Sequence, residues 1–107
     1  MLKEKDKKLA EKFKNLMIEQ GIPFYQTIIY GSRARGDADS ESDLDVLVLV
    51  KNLNEDIKDK IVECAWEVGF EAGIIILPVV VDKDEYENNK NISRLFINAI
   101  KKDGILV

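Results

Sequence analysis

The segment Gly31-Ser32-Arg33-Ala34-Arg35-Gly36-Asp37-Ala38-Asp39-Ser40-Glu41-Ser42-Asp43-Leu44-Asp45 runs without a break into the apolar stretch Val46–Val50. A small, glycine-flanked turn is thus followed by two carboxylates at the mouth of a strand-forming run. Side chains alternate across a strand, so Asp43 and Asp45 share a face, ~6.5 Å apart along the backbone. Two splayed carboxylates at that spacing can close on one hard cation, whose oxygen ligands lie at about 2.0–2.1 Å when it is magnesium. The turn before them offers a hydroxyl and backbone N–H groups, the donors that a phosphate chain needs. The ligand chemistry that fits all of these features is a metal–nucleoside triphosphate.

The remaining inventory removes most competing chemistries. The single cysteine, Cys64, and the absence of histidine exclude Ser-His-Asp and Cys-His catalysis and a Cys/His zinc site. Cys64 stands beside Ala65 in a helical pattern and reads as a small packing residue. A net charge of −4 argues against a broad grip on polynucleotide, which needs many phosphate-neutralising Lys and Arg contacts. Direct nucleic-acid binding is therefore not expected, and Arg33 and Arg35 are the local positive spot. No apolar run approaches the roughly 18 residues of a membrane span, and Met1–Lys14 is too charged for a signal peptide. These features predict a cytoplasmic chain with no membrane association. At 107 residues, 46% apolar and 34% charged, the whole of 1–107 is expected to form one globular domain.

Periodicity supplies the frame. Leu9, Phe13, Leu16 and Met17 predict an amphipathic helix over 4–20, stopped by Gly21 and Pro23. Gln26–Tyr30 reads as a short strand ending at Gly31, and 31–42 as a turn and loop. Leu44–Val50 is apolar at almost every position, which predicts a central strand covered on both faces. Asn54 caps a helix predicted over 55–68, with Gly69 as its C-cap. Ile74–Val81 is a second apolar run, and Pro78 within it predicts an edge position or a bulge. Asp82 and Glu85 resemble a capping box opening a last helix over about 84–102, in which Ile92, Leu95, Phe96, Ala99 and Ile100 make one stripe. Gly104 ends it, and Ile105–Val107 reads as a short terminal strand. The predicted class is α/β in the α+β sense: a small mixed sheet with helices packed on one side.

Gly31 to Gly36 matches Gly-x4-Gly, but Asp37 follows where a P-loop requires Lys and then Ser or Thr, so a Walker-type site is rejected. Gly31-Ser32, ten residues (33–42), and then Asp43-Leu44-Asp45 instead resembles the DNA polymerase beta-like nucleotidyltransferases. The closest resemblance is to the minimal nucleotidyltransferases (MNT), and Arg33, Ala34, Arg35, Gly36 and Ser42 fit that family's wording as well. The resemblance covers nearly the whole chain. It implies the nucleotidyltransferase fold and transfer of AMP from ATP, or of another nucleotide, to a hydroxyl acceptor. By it, Asp43 and Asp45 are the catalytic residues and ligands of Mg2+. Gly31 and Ser32 hold the phosphates, with Arg33, Arg35 and Ser42 as further nucleotide contacts.

The resemblance also implies a partner: a small helical HEPN-type toxin, for which the MNT protein is the antitoxin and which it adenylylates on tyrosine. One departure stands out. The superfamily's third carboxylate, on the next strand, aligns with Ile75, and Glu71 is the nearest acidic substitute in sequence. A catalytically impaired module that binds nucleotide and partner is therefore the alternative reading. A third reading is a subunit of a homo-oligomer paired through the terminal strand 105–107. Trp66 and Tyr25 read as packing residues, and the Lys-rich start, Lys3 to Lys14, interleaved with Glu and Asp, as a solvated helix face.

Overall fold

A computed structural model describes residues 1–107, and it runs in the order α1 (Glu4–Glu19), β1 (Phe24–Tyr30), α2 (Ser32–Arg35), β2 (Leu44–Val50), α3 (Glu55–Ala72), β3 (Ile76–Asp82), α4 (Lys83–Glu87), α5 (Arg94–Asp103) and β4 (Ile105–Leu106). The four strands form one mixed sheet in the order β3-β2-β1-β4. β1 is antiparallel to β2 and to β4, whereas β2 and β3 are parallel and joined by the α3 crossover. β2 is interior, as its unbroken apolar run requires. Pro78 lies on β3, an edge strand, where its missing N–H costs no ladder bond on the open side.

Alternation along β2 divides the core in two. Leu44, Val46, Val48 and Val50 face α1 and α3, packing with Phe13, Met17, Ile61, Cys64 and Ala65. Leu47 and Leu49 face the other way, onto Ile100, with Ile28, Val79, Val81 and Phe96 around them. α1 and α3 thus lie on one side as expected, and α5 covers part of the second. The cause is β2 itself: a strand apolar at both parities needs both faces covered.

Several boundaries differ from those the sequence suggests. α3 runs through Gly69 to Ala72 and is capped by Gly73, whose φ is +72°. Gly69 is a close-approach residue, because a Cβ there would collide with the backbone oxygen of Ile74. The predicted last helix is two helices. Asn89 and Asn91 adopt φ of +53° and +59° between α4 and α5, a conformation asparagine tolerates better than most residues. Its apolar stripe is displaced as well: Ile97 and Ile100 are buried, and Leu95 points into solvent. The two N-cap residues behave as read, with Asn54 Oδ1 accepting from the Ile57 N–H at 2.8 Å and Asp82 Oδ1 from those of Asp84 and Glu85.

Candidate functional site

β1 and β2 carry the site between them. Their antiparallel register pairs Tyr30 with Asp45, so the residue after Tyr30, Gly31, leaves β1 beside the start of β2. Gly31 takes φ +80° and ψ −161°, a region essentially restricted to glycine, and turns the chain into α2. The turn is also tight in space, since a Cβ on Gly31 would stand 2.5 Å from Asp45 Oδ2. The Asp45 carboxylate therefore lies directly against the Gly31–Ser32 turn. No side chain caps α2, and the amides of a first helical turn have no intrahelical acceptor. Ser32 is half-buried at that turn.

Asp43 and Asp45 project from one face at the mouth of β2, both half-buried. Leu44 between them donates its N–H to the Ile75 carbonyl at 2.9 Å, fixing the pair against the start of β3. Burial pushes the Asp45 carboxyl up from its ordinary value, and the neighbouring Asp43 charge pushes it further. Tyr30 is raised to about 12 by burial and by Asp45. Two carboxylates that repel in a partly desolvated position are relieved by a cation. A pair of carboxylates is also what magnesium uses when substrate phosphates and water complete its shell. The donor set fits a magnesium–triphosphate complex.

The other expected contacts lie differently. Arg33 is buried and faces inward: Nη1 bonds Asp6 Oδ1 at 2.9 Å, Nε donates to the Ser42 carbonyl at 2.8 Å, and Nη2 reaches the carbonyls of Asp39 and Ser40. A guanidinium so committed is a structural pin for the 39–42 loop, a different task from the phosphate contact expected of it. Ser42 also builds the loop, its Oγ donating to Asp39 Oδ1 and accepting from the Asp39 N–H. Arg35 is exposed and bridges Asp37 and Asp103 at 3.1 and 3.0 Å, tying α2 to the end of α5. Those two hydrogen bonds raise its pKa further, the Asp37 bond the more.

No third acid joins the pair, and no cluster of three His, Cys, Asp or Glu in the structure could hold a metal. The parallel register, Leu44 to Ile76 and Asp45 to Leu77, sets Ile75 and Leu77 beside the two aspartates, and both are exposed. Glu71 is not a substitute, because it lines a groove with Lys12 and Leu16 between α3 and α1. Asp6, expected on the solvated face of α1, is buried. Its spacing to Leu9, Ala10 and Phe13 puts it on the apolar face of α1, a signal that marks a paired acid.

A twisted mixed sheet presenting a Gly-Ser turn and an Asp-x-Asp strand defines a nucleotidyl-transferring class of domain. The chain belongs to the nucleotidyltransferase domain family, whose model matches residues 6–107. A candidate protein adenylyltransferase of Methanocaldococcus jannaschii is 38% identical over 85 residues, covering 77% of each chain. Among solved structures, a candidate nucleotidyltransferase from Sulfolobus solfataricus is 25% identical, with a TM-score of 0.51, over 92% of this chain and 76% of that one. Two more distant structures share the fold. A candidate minimal nucleotidyltransferase has a TM-score of 0.59 and 16% identity over 95% of both chains. A toxin–antitoxin structure with AMP-PNP has a TM-score of 0.62 and 18% identity, over 90% of this chain and 69% of that one.

Proposed function

We propose that this chain, as one domain over 1–107, is a magnesium-dependent adenylyltransferase that moves AMP from ATP to a hydroxyl on a protein. The observation that carries the reading is Asp45, two residues after Asp43, lying against the Gly31–Ser32 turn. Gly31 lets the backbone approach a triphosphate, and the Ser32 hydroxyl with the first amides of α2 binds its oxygens. Asp43 and Asp45 hold the cation, which when bound supplies positive charge to the phosphates and orients them. In the transfer, the acceptor oxygen forms a bond to the α-phosphorus as the α–β phosphoanhydride bond breaks, and pyrophosphate departs with the electron pair. With Ile75 where a third carboxylate would stand, the hydroxyl proton leaves to water.

The acceptor we favour is a tyrosine of a HEPN-type helical toxin, with this chain as the antitoxin in the cytoplasm. Its M. jannaschii relative, named for protein adenylylation, and the fold shared with a toxin–antitoxin structure holding AMP-PNP support that choice. The position of Ile75 also favours a second reading, in which the domain binds nucleotide and partner without transfer. Labelled ATP with the purified toxin complex separates them. Label on the toxin, lost in Asp43→Asn, supports the enzyme. Neutralisation that survives Asp43→Asn with no label transferred overturns it.

The homo-oligomer reading through the terminal strand would use the outer edge of β4, the last strand of the sheet. β4 pairs with β1 of its own chain, and the Val107 carbonyl accepts from Thr27 Oγ1 and Lys14 Nζ.

A further inference from the structure

α3 and the start of β3 leave a run of large apolar side chains in water: Trp66 is 67% exposed, Phe70 75% and Ile75 66%. The two rings stack, with centroids 5.1 Å apart and planes inclined by 17°. They line a shallow groove of about 350 Å³ with Gly69, Gly73, Ile74 and Ile75. Two rings so exposed leave on the order of 300 Å² of apolar surface in solvent. With Ile75 in the same groove, the patch reaches the size that marks interaction sites on monomers. A complete interface buries about 800 Å² per partner, so the groove is the anchor of a larger contact.

The rim decides what covers it. Glu63 stands three residues before Trp66 and Glu67 three before Phe70, which on a helix makes each acid the neighbour of an aromatic. Both glutamates are exposed at its margin, Glu67 also bordering the α1–α3 groove that holds Lys12, and no Lys or Arg lines the aromatic groove itself. A two-fold contact with a second copy would set these acids against their own equivalents and is disfavoured. An apolar anchor flanked by Lys or Arg is favoured. The groove is joined to the carboxylate-bearing strand through one residue. Ile75 lines it, and the Ile75 carbonyl accepts the N–H of Leu44, the residue between Asp43 and Asp45.

We propose that the Trp66–Phe70–Ile75 groove docks the protein acceptor through a basic-flanked apolar segment, delivering its hydroxyl to Asp43 and Asp45. This rests on the adenylyltransferase reading for the acceptor's role, but docking is measurable without nucleotide. Trp66 is the only tryptophan, so its emission reports the groove directly. The probe is a short amphipathic helical peptide with a Leu face flanked by Lys and Arg, compared with the same peptide flanked by Glu.

The basic peptide is expected to give a saturable blue shift, weakened about tenfold or more by Phe70→Ala. The Glu-flanked peptide is expected to give none, and Glu63→Lys with Glu67→Lys should reverse that preference. All three substitutions are at exposed positions, and circular dichroism verifies the fold. No shift with the basic peptide, equal shifts with both, or a shift that grows with protein concentration alone would each overturn the proposal, the last pointing to a second copy. Asp43→Asn with Asp45→Asn should leave docking unchanged while abolishing the heat of magnesium–ATP binding. Loss of docking with that heat intact sinks the groove alone. Docking without that heat in the unsubstituted protein sinks the adenylyltransferase reading alone.

Discussion

The carboxylate of Asp45 occupies the space that a side chain at residue 31 would need, with Oδ2 2.5 Å from where a Gly31 Cβ would stand. The relationship works in both directions. Glycine at 31 admits the carboxylate, and the carboxylate excludes every other residue from the turn. Gly31→Ala is therefore expected to strain the backbone, at φ +80°, and to displace Asp45. A loss of about 1–3 kcal/mol in urea denaturation is expected, together with loss of the heat of magnesium–ATP binding. An alanine variant with unchanged stability and binding would show that the turn tolerates a Cβ.

Asp45 makes stability depend on pH. Its folded carboxyl is raised, first by burial and then by Asp43, so the folded state holds the proton more tightly than the unfolded chain. The associated stability is complete below the ordinary carboxylate value of 3.8 and is lost as pH rises through the raised folded value. Asp45→Asn should accordingly melt at a higher temperature than the unsubstituted protein at pH 7 and show a flatter profile on alkalisation from pH 4. Magnesium with ATP should raise the melting temperature of the unsubstituted protein alone, an effect that thermal denaturation reads directly.

Tyr30 sits across the ladder from Asp45 and packs edge-on against Phe96, with ring centroids 5.4 Å apart. Its hydroxyl should titrate at about 12 in an ultraviolet absorbance titration. Since burial is the larger cause and Asp45 the smaller, Asp45→Asn should lower the midpoint only in part. Stability should fall as pH rises from the ordinary 10.0 through about 12, and Tyr30→Phe should remove that contribution.

The Asp6–Arg33 pair is buried on both sides. Removing either partner leaves an uncompensated charge in the interior, a loss of about 3–5 kcal/mol. Arg33→Ala and Asp6→Ala should therefore be comparably destabilising in urea. Arg33→Lys should not rescue, because one ammonium cannot reach Asp6 and the carbonyls of Asp39, Ser40 and Ser42 together. Full stability in Arg33→Lys would contradict the multi-bond role.

Much of this was legible in the chain. The strand Leu44–Val50, its aspartates and the edge position of Pro78 follow from side-chain alternation and a missing N–H, which are local properties. The end of α3 was not, because Gly69 and Gly73 look alike in sequence. Only the approach of the Ile74 backbone makes the first a contact point and the second a cap. The split between α4 and α5 turns on asparagines in left-handed conformation, which composition alone does not announce. The inward turn of Arg33 was not legible, because its partner, Asp6, is 27 residues away: the helical spacing of Asp6 marks a paired acid but does not say which cation pairs with it.

From Val46 to Val50 every residue of β2 is sealed from solvent. Amides there should exchange hydrogen for deuterium only when the whole molecule opens, so the two aspartates are fixed to its most slowly exchanging segment. Any adjustment needed to seat a substrate must then come from what arrives, because the acids cannot shift without dismantling the interior behind them.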